Sequence, residues 1–145
     1  MILSLTTLAA KALAQAGEGP YMLGEEMYKE LEYARFCANT PLKDRTTEAA
    51  RLGNSEWLRK LHKEGVKFHS LTAVCAAMFG HPECMRVAIE SGCPWDPYTT
   101  AWAASSGNPE CIRIARKLGC EWHPLTRTCA GTKEVTAVLD ELECP

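Results

Sequence analysis

Gly53, Gly80 and Gly107 stand 27 residues apart, and so do Gly65, Gly92 and Gly119. Two glycine ladders on one period mean that the chain is built from a duplicated short unit. A unit of that size cannot bury an apolar face alone, so its core must form by stacking on its neighbours. Other positions keep the same phase. Asn54-Ser55-Glu56, His81-Pro82-Glu83 and Asn108-Pro109-Glu110 follow the first glycine of each unit, and Phe68, Trp95 and Trp122 come three residues after the second. Thr72, Thr99 and Thr126, Arg59, Arg86 and Arg113, and the pairs Cys84/Cys111 and Cys93/Cys120 recur likewise.

Each unit reads as two helices. Pro82 and Pro109 suit a first helical turn, where a missing N–H costs nothing, and Glu83 and Glu110 favour its positive end. Met85, Ala88 and Ile89 mark one helical face, as do Ile112 and Ala115, before Gly92 or Gly119 ends the helix in a left-handed residue. An Ala-rich first helix is expected over about 72–79 and again over 99–106. The expected fold class is therefore all-α, a helix-turn-helix repeat solenoid with degenerate end caps. Its organisation runs as an N-terminal capping helix and linker over 1–24, then an array over 25–145. The units are a partial one at about 26–45, three at 46–72, 73–99 and 100–126, and a cap at 127–145. In that cap Thr128-Cys129-Ala130 continue the Ala-rich helix, three residues are missing before Gly131, and a last helix spans 135–142. Residues 1–16 are apolar, but Lys11 follows the apolar run instead of preceding it, which favours an amphipathic cap over a signal peptide.

The run Ala76-Ala77-Met78-Phe79-Gly80-His81-Pro82-Glu83 resembles the Ala-Ala-x-x-Gly-His-x-Glu segment of ankyrin repeats. Residues 103–110 repeat the match and 49–56 repeat it more weakly. The unit departs from that family in lacking its Thr-Pro-Leu-His opening and in being six residues shorter, the shortfall falling where the family projects a β-hairpin finger. With Gly-Cys-Pro-Trp-Asp at 92–96, the chain is similar to the divergent short repeats of giant DNA viruses and some protists. The resemblance implies an ankyrin-like solenoid with shortened fingers that binds a protein, and a turn-stabilising role for His81.

Charge and composition narrow the chemistry. A net charge of −2 gives no support for a nucleic-acid surface, and no run of eighteen apolar residues spans a membrane. Eight Cys could staple a secreted chain, yet six of them occupy repeat positions. Equivalent positions in stacked helices lie about 10 Å apart, too far for a disulfide, which needs Cα atoms within about 7 Å. Reduced, buried Cys and an intracellular, cytoplasmic setting are the expectation. His81 with Cys84 is the best metal or nucleophile–base pair, but the next unit has Asn108 in place of the histidine and no Cys-x-x-Cys exists. No metal, no cofactor and no catalytic residue are expected, and the protein is read as a non-enzyme. Residues 51–133 hold eleven Lys and Arg against seven Asp and Glu, and the Arg ladder is read as a solvated face.

In the register that the ankyrin resemblance implies, each first helix turns the residues just after its Ala pair to a concave side. That puts Arg51, Met78 and Ser105 in one row with Leu52, Phe79 and Ser106 beside it. Trp102 falls on or near the same surface, and Asp96 and Tyr98 lie in a connecting turn. Arg51, Met78, Phe79, Asp96, Tyr98, Trp102 and Ser105 are the expected partner-binding residues, although Phe79 and Trp102 could equally fill space between repeats. The expected partner is another protein, bound by a monomer. The alternative is a structural or assembly protein that self-associates into a homo-oligomer through its N-terminal apolar helix.

Overall fold

How each helix begins and ends decides the architecture, and the computed structural model describes it for residues 25–145. The capping helix, linker and signal peptide considered for residues 1–24 lie outside the described residues. Those described form eight α-helices and no strand: α1 (Glu25–Asn39), α2 (Arg45–Arg51), α3 (Ser55–Lys63), α4 (Ser70–Met78), α5 (Pro82–Glu90), α6 (Thr99–Ser105), α7 (Pro109–Lys117) and α8 (Lys133–Glu141), with a 3₁₀ turn at Leu42–Asp44. The chain divides into two compact units, one through Arg45 and one from Thr46 to Pro145.

In the first unit the partial repeat expected at 26–45 is a single 15-residue helix, α1. It buries Leu31, Tyr33 and Phe36, the two rings stacked with centroids 6.4 Å apart. The Arg45 guanidinium donates to the carbonyls of Cys37 (2.6 Å) and Thr40 (3.0 Å), closing acceptors that the end of a helix leaves open.

The second unit repeats a helix pair. Asn54 accepts the Trp57 N–H and Asn108 accepts the Glu110 N–H, each at 3.0 Å, starting α3 and α7, and Pro82 and Pro109 begin α5 and α7. At the far ends the six ladder glycines hold φ between 72° and 88°. At five of them, all but Gly107, the glycine N–H and that of the next residue turn back into the helix. Gly92 donates to Ile89 (3.0 Å) and Cys93 to Ala88 (3.0 Å), the two bonds of a Schellman stop. Its usual apolar contact is present as well, Cys93 packing with Ala88, Ala73, Phe68 and Ile89. After α6 the second bond is interrupted by a hydroxyl: Asn108 N–H donates to Ser106 Oγ (3.2 Å), which donates to the Ala103 carbonyl (2.8 Å). At the end of α8 Glu143 stands where a glycine belongs, at φ 53°.

First helices pack on first helices, α4 on α6, and second on second, α3 on α5 and α5 on α7, with α8 closing on α7. The rows that make these contacts follow the period. Leu58, Met85 and Ile112 are fully buried, as are Leu61, Ala88 and Ala115; burying one such large side chain contributes roughly 1.5–3 kcal/mol. Buried Thr hydroxyls pair across units, Thr46 on α2 with Thr72 on α4 (3.0 Å) and Thr100 on α6 with Thr126 in the turns that follow α7 (2.9 Å). The residues after Gly80, Gly107 and Gly131 also reach back one unit to a turn carbonyl. His81 Nε2 lies 3.2 Å from the Arg51 oxygen, Asn108 Nδ2 donates to Gly80 at 3.0 Å and Thr132 Oγ1 to Gly107 at 3.5 Å.

Two expectations change. Thr128-Cys129-Ala130 do not continue an Ala-rich helix: residues 124–129 are successive turns, with Cys129 N–H to Leu125 oxygen an isolated α-type bond. The three missing residues leave too little chain. Gly131 is drawn onto the end of α6, its N–H donating to Ala104 (3.2 Å), and a Cβ there would lie 3.1 Å from the Ser105 oxygen. The Arg ladder, in turn, is half-exposed but ion-paired instead of simply solvated. Arg59 and Arg86 share Glu83, Arg86 also meets Glu90 at 3.6 Å, and Arg113 meets Glu141 at 3.1 Å.

Replacing Glu143 by Gly removes a left-handed penalty of about 1–2 kcal/mol against a glycine entropy cost of about 0.5–1. Thermal unfolding of Glu143→Gly is expected to shift up by about 1–3 °C. Gly53 carries a second constraint, since a Cβ there would sit 2.8 Å from the His81 ring, whereas Gly65 has open space. Urea titrations should show Gly53→Ala costing at least about 1 kcal/mol more than Gly65→Ala, with the excess vanishing in a His81→Ala background.

Candidate functional site

In α4 and α6 the usual sorting of side chains is inverted. Small residues face inward: Thr72, Ala73, Ala76 and Ala77 on α4, and Thr100, Ala101, Ala103 and Ala104 on α6 are buried. Large ones face out. Leu71 and Phe79 are each 49% exposed, Tyr98 51% and Trp102 39%. The spacing explains how one face collects them, because positions 71, 75 and 78, and 98, 102 and 105, are four and three residues apart along a helix. Phe79 follows as the residue that ends α4. A short first helix needs small side chains where neighbouring helices approach, which leaves its larger apolar residues to the outside.

Before α4 and α6, and again before the turns at 124–129, one device built from two residue types fixes this orientation. His69 Nδ1 accepts the Leu71 N–H (3.2 Å), Asp96 Oδ1 the Tyr98 N–H (2.8 Å) and His123 Nδ1 the Leu125 N–H (3.1 Å). Each acceptor is followed two residues later by an outward apolar side chain, and Leu125 is 49% exposed. Of the row Leu71, Tyr98 and Leu125, sequence reasoning found only Tyr98; its own 27-residue period points to the other two. Across the units Tyr98 lies against His123, ring centroids 4.3 Å apart.

The seven expected binding residues separate into two groups. Phe79, Tyr98 and Trp102 are exposed, so Phe79 and Trp102 do not fill space between repeats, and Met78 is half-buried beside Phe79. The three polar side chains are engaged within the chain. Arg51 is exposed but paired with Glu48, Nε to Oε2 at 2.9 Å; Ser105 Oγ donates to the Trp102 carbonyl at 3.1 Å; and Asp96 is half-buried on its turn. The Arg51 pair holds the Glu48 carboxyl below its ordinary range, chiefly through the hydrogen bond.

The cysteines have no counterpart within bonding reach: all eight are free. Burial pushes the thiols of Cys84, Cys111 and Cys120 up to about 11, and raises that of Cys75, where Glu48 adds to the effect and Arg51 opposes it. A nucleophilic cysteine needs the opposite shift. His81 faces the Arg51 carbonyl, a role that keeps one ring nitrogen in the turn. Among the described residues no three His, Cys, Asp or Glu side chains gather as metal ligands would, and no helix is long and apolar enough to cross a membrane. No protein-family model matches the chain, and no curated protein or solved structure matches it either.

A thiol ionises near 8.5 in an unfolded chain. Because the three buried thiols keep their protons to about 11, the folded state binds more protons between those values. Stability should therefore be unaffected by these groups below about pH 8.5 and fall as pH rises toward about 11. Urea midpoints from pH 7 to 10 check this, and Cys111→Ala should flatten the fall.

Proposed function

We propose that the chain is an ankyrin-like repeat array that binds another protein through the outward face of its first helices and performs no chemistry itself. The observation that carries this reading is the inverted sorting in α4 and α6, where Leu71, Phe79, Tyr98 and Trp102 face solvent while Ala and Thr fill the contacts between helices. Large apolar side chains held outward on a rigid scaffold at regular spacing are what an interface needs, since a few aromatic anchors carry most binding energy. The ankyrin register is supported by helix pairs on a 27-residue period, each first helix followed by a left-handed glycine, with His81 and Asn108 after α4 and α6 reaching the preceding turn. The absence of strands among the described residues agrees with curtailed fingers. A non-enzymatic reading is supported by the cysteines, which occupy repeated core positions with protonated thiols.

Affinity capture from the native host, quantified by mass spectrometry, tests the face directly. The Phe79→Ala/Trp102→Ala protein should retain at least about tenfold less of the partner that the wild type holds, with its helical circular dichroism intact. Equal recovery on both proteins would overturn the assignment.

A further inference from the structure

The turns after the second helices repeat an aromatic residue, and each has a neighbour at a fixed position in the last turn of the helix before it. The three pairs are His62 with Phe68, Ile89 with Trp95 and Arg116 with Trp122. In the first, the rings meet edge to face at 5.9 Å. In the third, the Arg116 guanidinium lies over the indole at 4.6 Å and donates to the Cys120 carbonyl. The middle pair differs in chemistry: Ile89 packs inward with Phe68 on Ala73, Ala88 and Cys93. Trp95, 36% exposed, has no ring or cation against it among the described residues.

Trp95 also lines a groove of about 460 Å³ between its own turn and the next, together with Asp96, Cys120, Glu121, Trp122 and His123. Two carboxylates stand on that groove, and neither forms an ion pair within the described residues. Asp96 commits Oδ1 to the Tyr98 N–H, while Glu121 is held through its backbone, its carbonyl accepting from Thr100. Burial raises the buried Cys120 thiol, the Arg116 guanidinium opposes that shift and Glu121 and Asp96 add to it, so all three charges lie near the wall between the two turns. With Arg116 spent on Trp122 and the Cys120 carbonyl, the pair of carboxylates leaves that wall net negative.

We infer that this groove takes an arginine side chain of a partner protein, its guanidinium stacked on Trp95 and paired with Asp96 and Glu121. Charge complementarity selects a cation, because an aromatic face and two carboxylates favour one and disfavour an anion. Planarity selects arginine over lysine, since a guanidinium stacks on an indole and binds carboxylates through a fixed fork of donors. Arg116 on Trp122 is the same contact made within the chain. The site does not rest on the helix-face reading, because neither Phe79 nor Trp102 lines it.

The probe is the peptide acetyl-Gly-Ser-Arg-Ser-Gly-amide, with norleucine replacing arginine as its neutral counterpart, titrated against the ¹⁵N-labelled full chain. The indole N–H resonances of Trp57, Trp95, Trp102 and Trp122 report where it binds. Arginine peptide should shift Trp95 saturably and leave Trp102 unmoved, with norleucine peptide binding about tenfold more weakly. Asp96→Asn/Glu121→Gln keeps an acceptor for the Tyr98 N–H and should weaken binding about tenfold, and Trp95→Leu should do at least as much. The Phe79→Ala/Trp102→Ala protein should bind the peptide like wild type, so failure of this site and failure of the helix face read out separately. Equal affinity for the two peptides, or unchanged binding by the charge-neutral variant, would overturn the proposal.

Discussion

A helix can stop inside a packed array only if its last carbonyls find donors, and everything in this chain is spaced by the solution it uses. A left-handed residue turns the backbone so that its own N–H and that of the residue after it point back into the helix, and six glycines hold that left-handed conformation at φ 72° to 88°. Because the turn is short, it fixes the start of the following helix as well as the end of the preceding one. The Asn54 and Asn108 caps and the first-turn prolines Pro82 and Pro109 fall directly after it. Repetition of the stop thus sets the repetition of helices, and the burial of Leu58, Met85 and Ile112 in register follows from both.

The same geometry separates the two helix layers chemically. Second helices carry the large apolar residues of the core. First helices meet one another through Ala and Thr, and their hydroxyls pair across units instead of being left unsatisfied: no buried side-chain N or O among the described residues lacks a partner. Close approach there favours small side chains, with Val74 the largest apolar residue buried on α4, while Leu71 and Trp102 stand outside. Exposed apolar area of this kind follows from how the helices pack, and its chemistry differs from unit to unit with the residues that occupy the rows. Arg51, Met78 and Ser105 share one row yet differ in charge, size and hydrogen bonding. The polar members spend their groups within the chain, while Phe79, Tyr98 and Trp102 stay exposed.

Much of this was legible because it depends on residue types with few substitutes. A left-handed glycine and a first-turn proline announce themselves, which is why helix limits read from Gly53, Gly80, Gly92, Pro82 and Pro109 agree with the structure to within a residue or two. Features open to several residue types stayed hidden. His69, Asp96 and His123 perform one capping task with two chemistries, and Leu71, Tyr98 and Leu125 form one exposed row from two residue types. The arginine ladder was visible as charge, but its partners across units were not, because Arg59 reaches Glu83 in the following unit and Arg113 reaches Glu141 in the following helix. At 128–130 the helical composition was right and the length was wrong. Three absent residues shorten the segment to turns, a constraint that local propensity does not register.

The links that run from His81 to the Arg51 carbonyl, from Asn108 to Gly80 and from Thr132 to Gly107 all point the same way along the chain. Each turn is completed by a side chain that lies 25 to 30 residues later, so no unit holds all of its own hydrogen-bond partners. On a ribosome, where the N-terminal part emerges first, that dependence imposes a lag. A turn that has already left the exit tunnel keeps an open acceptor until roughly one more unit's length of chain has followed it. Folding during synthesis would then advance in steps of one unit, each of these turns closing only when His81, Asn108 or Thr132 has emerged.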